Sequence, residues 1–175
     1  MMAKGHPLGE YFAIDAFLAP VHAYITGRES STTETIQGAM VDLNNSGIEG
    51  TAAKPVLDAA SMAELRSLDP DGKAQLVKRV LATYQASLAK LVELLRVARG
   101  DGAWEQVSRV AHTLKSSSAS IGALALSALC ADIERLLRAG DSDAVIPLLE
   151  LFHAEVGRVD AAVGQTLQHL EAAAS

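Results

Sequence analysis

The sequence predicts an all-α protein, an up-down antiparallel four-helix bundle with a short additional N-terminal helix, spanning residues 55–175. Composition is the first observation: apolar residues make up 49% of the chain, much of it alanine and leucine, while aromatics reach only 4%, which favours helices over a β-sandwich. The second is periodicity, because apolar residues recur at three- and four-residue steps in one segment after another. The third is that short Gly-Asp connections join those segments, which makes neighbouring helices antiparallel.

The elements follow in order. Residues 1–54 form an N-terminal extension expected to be largely disordered. It holds a short amphipathic run from Tyr11 to Leu18, ended by Pro20, and then Ser, Thr, Asn and Gly with weak periodicity. A linker and a docking helix for a partner are both open readings of it. Asp58 can cap a short helix with Met62, Leu65 and Leu68 on one side. Asp69-Pro70 is expected to open a long helix, with proline near the first-turn position. Its stripe is Leu76, Val77, Val80, Leu81, Tyr84, Leu88, Leu91, Val92 and Leu95. Gly100 stops it, and Asp101 can cap the next helix, which fades near Gly122. A further helix runs from about Ala123 to Ala139, with Leu126, Leu129, Cys130, Ile133, Leu136 and Leu137 inward and Gly140 at its end. The last reaches from about Asp143 to Glu171, and Pro147 lies close enough to its start to be tolerated.

The net charge of −6 argues against a general nucleic-acid binder. No apolar run is long enough to span a bilayer, and Asp15 and Pro20 interrupt the N-terminal apolar stretch where a signal peptide would need continuity. The single cysteine, Cys130, excludes an intrachain disulfide and fits a core position. A cytoplasmic protein is expected, without membrane attachment. Glu150-x-x-His153 has the spacing of a bundle di-metal motif, but no second copy accompanies it, so no metal site is expected. No Walker loop, kinase glycine loop or nucleotide signature appears, so the chain is not expected to phosphorylate itself from ATP.

The chemistry concentrates in the run from Arg109 to Ala123. On a helical wheel Trp104, Val107, Val110, Ala111, Leu114, Ser118 and Ile121 form one apolar face, and His112 falls on the wet side. A neutral imidazole pointing into water offers a nitrogen lone pair to an incoming electrophile. Ser108, Ser116 and Ala119 are small and leave the ring uncovered, while Glu105, Arg109 and Ser116 share its face.

The stretch His112-Thr-Leu114-Lys115-Ser116-Ser117-Ser118-Ala-Ser-Ile-Gly122-Ala123 resembles the motif of histidine-containing phosphotransfer (HPt) domains, roughly His-x-Leu-Lys-Gly-Ser-(Ser/Ala)-x-x-x-Gly-Ala. The likeness extends over about residues 56–172, through Val56-Leu57-Asp58, Tyr84 to Leu88, Gly100-Asp101, Leu129 to Glu134 and Ala139-Gly140-Asp141. Where the family usually has glycine this chain has Ser116.

The resemblance implies roles for particular residues. His112 would carry the phosphoryl group. Lys115 would offset the roughly two negative charges that the group brings. Glu134, on the next antiparallel helix, would accept a hydrogen bond from Nδ1 and leave Nε2 free to attack, although a surface Glu134–Arg138 pair is an equally good reading. Arg109, Ser116, Ala119 and Arg138 would border the docking surface of a partner. The implied function is a phosphorelay intermediate that moves a phosphoryl group between receiver domains of hybrid sensor kinases and response regulators. It would be a monomeric carrier and not an enzyme, with no cofactor of its own and with Mg²⁺ supplied by the receiver. A helical interaction module that binds a receiver or sensor kinase without carrying phosphate is the alternative.

Overall fold

The computed structural model describes residues 55–72 and 75–173, so the expectation for the N-terminal extension lies outside the described residues. Those residues form five helices: α1 (Ala59–Ser67), α2 (Leu76–Gly100), α3 (Trp104–Ser120), α4 (Leu124–Arg138) and α5 (Ser142–Ala173). No strand occurs among the described residues.

The four longer helices close a ring of contacts, α2 on α3, α3 on α4, α4 on α5 and α5 back on α2, while α1 touches α2 more lightly. Cross-helix polar contacts give their direction. Lys78, Gln85 and Arg99, ascending along α2, meet Glu171, Asp160 and Glu150, descending along α5. Inside the ring lies one continuous core, in which Leu81, Leu88, Leu95, Leu114, Leu126, Ile133, Leu149 and Phe152 are essentially sealed from water. The Tyr84 hydroxyl and the Ser118 hydroxyl bond to each other at 2.9 Å inside that core, which fixes α2 against α3. Burial pushes the Tyr84 phenol well above its ordinary pKa.

Two element boundaries differ from those expected. The long helix does not open at Asp69-Pro70. Backbone bonds from Asp69 N–H to Arg66 and from Gly72 N–H to Asp69 make a turn there, and Gly72 adopts a left-handed φ of +64° that a helix cannot contain. Asp69 instead reaches forward, and its carboxylate accepts from the Leu76 N–H at 3.1 Å, so it caps a helix that begins seven residues later. Asp101 likewise ends α2 and does not cap α3, because its N–H closes on the Val97 carbonyl at 3.0 Å and the cap position of α3 falls to Ala103.

The head of the bundle is pinned by one glycine. Gly122 has φ +79°, and a Cβ added there would lie 3.0 Å from the Asp58 nitrogen. The close approach lets the Asp58 N–H donate to the Gly122 carbonyl at 2.8 Å. Asp58 also caps α1 by accepting from the Ser61 N–H at 2.8 Å and the Ser61 hydroxyl at 2.9 Å. Those bonds, the Ser61 N–H first, hold its carboxyl below the ordinary carboxylate range.

Candidate functional site

The inward face of α3 determines where His112 points. Val107, Val110, Ala111, Leu114, Ser118 and Ile121 are buried, and Trp104 packs half-buried against the core. With that face committed, His112 lies toward water, and its side chain is 60% exposed.

Across the seam, α4 buries Leu126, Cys130, Ile133 and Glu134. A carboxylate in that company must be paired, because an isolated buried charge is strongly disfavoured. Glu134, only 4% exposed, meets that need with three partners. Its Oε1 lies 3.0 Å from His112 Nδ1 and also accepts from the Arg138 guanidinium. Its Oε2 accepts from Lys115 Nζ at 2.5 Å. The carboxylate can only accept, so in the neutral ring Nδ1 carries the hydrogen and the Nε2 lone pair stays free. Glu134 is therefore not half of a surface pair. It is a buried centre on which three outward-reaching side chains converge.

The remaining predicted residues fall around this centre unequally. Lys115 is partly covered, and its ammonium is bonded to Glu134. Arg138 is exposed apart from its contact with Glu134. Arg109 is exposed and turned along its own helix, donating to Glu105 at 2.9 Å and to Gln106 at 3.0 Å. Ser116 and Ala119 are half-buried, one and two turns beyond the ring. The serine run is largely self-satisfied: Ser117 and Ser120 donate to the Thr113 and Ser116 carbonyls at 3.0 and 3.1 Å.

Sequence reasoning missed Ser127. Its hydroxyl donates to the Lys115 carbonyl at 2.8 Å and stitches α4 to α3 directly beside the site. Nothing in the local pattern around Ser127 distinguishes it from any other helical serine. Burial pushes the Cys130 thiol up to about 12, so it remains protonated and unreactive. Elsewhere, Glu150 pairs with Arg99, and His153 Nδ1 turns back to the Leu149 carbonyl at 2.5 Å. Among the described residues no group of histidine, cysteine or acidic side chains is placed to hold a metal ion. No helix among them is long and apolar enough to cross a membrane.

The crystal structure of histidine-containing phosphotransfer protein B (HptB) from Pseudomonas aeruginosa PAO1 superposes with a TM-score of 0.60, at 24% identity over 67% of this chain and 98% of that one. That likeness shows the fold. No match was found among curated proteins. The family model described as Hpt domain matches residues 79–172, more than half of the chain and all of α3 and α4. The chain belongs to the Hpt domain family, the phosphotransfer modules of two-component signalling.

Proposed function

We propose that the chain is a phosphorelay intermediate in which His112 takes a phosphoryl group from the aspartyl phosphate of one receiver domain and passes it to an aspartate of another. The observation that carries this reading is the pairing of His112 Nδ1 with the buried Glu134 carboxylate while the ring itself is 60% exposed. That arrangement orients the imidazole and turns its nucleophilic Nε2 toward an incoming partner.

The transfer is in-line and rests on positioning and electrostatics. The receiver supplies Mg²⁺ and an acidic pocket. Lys115, within reach of the ring across Glu134, offsets the charge of the transferred group, and Arg138 adds a second cation on the same rim. Ser116, Ala119 and Arg109 border the approach. α2 to α5 are an antiparallel four-helix bundle, with α1 as the extra helix at its head, and the unit works as a cytoplasmic monomer that meets its partners in turn through a small, transient interface.

Incubation with a phosphorylated receiver tests this. The wild-type chain acquires an acid-labile label, as phosphohistidine requires. His112→Gln acquires none, and its helical content and melting temperature stay close to wild type, because an exposed substitution shifts stability by less than about 0.5 kcal/mol. Full labelling of the variant moves the site elsewhere.

A further inference from the structure

We propose that Glu134 keeps the Nδ1 proton on the phosphorylated ring of His112, so that the carrier holds its phosphoryl group as a short-lived, strongly donating phosphoimidazolium. This rests on His112 being the phosphorylated residue and concerns what becomes of the group once it is there.

Nε2 attacks phosphorus with its lone pair. The N–P bond forms, the P–O bond to the donor aspartate breaks, and that bond's pair leaves with the carboxylate. Nε2 carried no hydrogen, so none is released there. The ring keeps Nδ1–H and becomes cationic. From this state the onward transfer breaks the N–P bond with its pair returning to Nε2, and neutral imidazole departs. If Nδ1 first loses its proton to water, the same step must expel an imidazolate anion, a far poorer leaving group. The occupancy of Nδ1 by hydrogen therefore sets how readily the phosphoryl group moves on, to a receiver or to water.

The structure places a carboxylate at that atom. Glu134 Oε1 is 3.0 Å from Nδ1, and the carboxylate is 4% exposed, so its attraction for an imidazolium is weakly screened. Glu134 itself accepts from Lys115 on Oε2 and from Arg138 on Oε1. The charged groups around the ring are thus Glu134 and Arg138 from α4 and Lys115 from α3, with Arg109 tied to Glu105 and Gln106 one turn away. From α2, the other helix packed on α3, no charged side chain among the described residues is hydrogen-bonded or ion-paired to the ring. An amide oxygen at position 134 would accept the same hydrogen bond but would add no charge to hold the proton.

The test uses Glu134→Gln, an isosteric change. The full chain is loaded with phosphoramidate, which needs no receiver docking, and the donor is removed. Loss of the acid-labile label is then followed from about pH 6 to about pH 10, across and above the ordinary histidine range. ¹⁵N NMR of His112 reports Nδ1 protonation in the phosphorylated form. In wild type, Nδ1 stays protonated, and label loss stays fast, to a pH at least about one unit higher than in Glu134→Gln. Above both midpoints the variant's phosphohistidine survives roughly tenfold longer. Glu134→Asp moves the midpoint back toward wild type. Freeing Lys115 and Arg138 from their partner also changes rates at every pH, so the midpoint, and not the rate at any one pH, is the diagnostic quantity.

Equal midpoints in wild type and Glu134→Gln overturn the proposal. Should the variant not fold, the wild-type midpoint alone decides it, because a value no higher than that of free phosphohistidine overturns it equally. Failure of the underlying assignment looks different: wild type then carries no label on His112, or His112→Gln is labelled as fully as wild type.

Discussion

Among the described residues, two seams of the bundle carry ion pairs between antiparallel helices, and they differ in a single respect. Along α2 and α5, Lys78 meets Glu171 and Arg99 meets Glu150, with the side chains 39%, 61%, 36% and 73% exposed. Along α3 and α4, Lys115 and Arg138 meet Glu134, whose side chain is 4% exposed. The residue types are alike. In the first seam water competes for every charge, and such pairs contribute between zero and about 1 kcal/mol. In the second the carboxylate has given up its water and depends on its partners, so their geometry is fixed and His112 inherits that fixity. Burial of one acceptor turns an ordinary surface contact into a fixed one that orients the His112 ring.

The comparison can be broken first through bulk. Ser116→Tyr, one turn from His112, should leave the helices intact and nearly abolish transfer from a phosphorylated receiver, while Ser116→Gly transfers at least as fast as wild type. Gln85→Tyr, which removes the contact to Asp160 in the other seam, should leave transfer unchanged. Equal effects of the two tyrosines on transfer rates would mean that partners do not approach over α3.

Next comes stability. Lys115→Met with Arg138→Met leaves the Glu134 carboxylate with His112 alone, and it should cost on the order of 2 kcal/mol in urea unfolding. Adding Glu134→Gln should restore most of that loss. A cost under about 0.5 kcal/mol, with no rescue, would mean that the carboxylate reaches water after all.

Lys115→Ala alone sharpens the functional side. Rapid-quench measurements should show transfer slowed roughly tenfold but not lost, the effect of about 1.4 kcal/mol of transition-state charge stabilisation. The smallest effect belongs to the other seam: Lys78→Ala should change stability by less than about 0.5 kcal/mol and transfer not at all. A loss near that of the α3–α4 double variant would erase the distinction between the seams.

Much of this was legible in the chain itself. The wheel over residues 104–121 placed His112 away from a face that is buried in the structure, because a straight helix carries its periodicity directly into three dimensions. Boundaries fared less well where a turn intervened. Asp69 and Asp101 both have the chemistry of a cap, but Gly72 and Gly102, with φ of +64° and +67°, bend the chain before the next helix can start. The sequence offers Glu134 to His112, to Arg138 or to both, and the structure joins it to both and to Lys115 as well.

The sequence by itself determined that the chain is helical, which side of each helix turns inward, and that a histidine with a lysine one turn later stands on a wet face. These are one-dimensional properties, set by spacing along a helix of known pitch. Tertiary structure alone decided that Glu134 is buried and not rim-exposed, that Ser127 ties α4 to the backbone at Lys115, and that Gly122 lies against Asp58. Each depends on how closely one helix approaches another and at what offset along its axis. That offset is set by the packing of core side chains such as Tyr84, Leu114, Ile133 and Phe152, whose contacts join residues far apart in the chain.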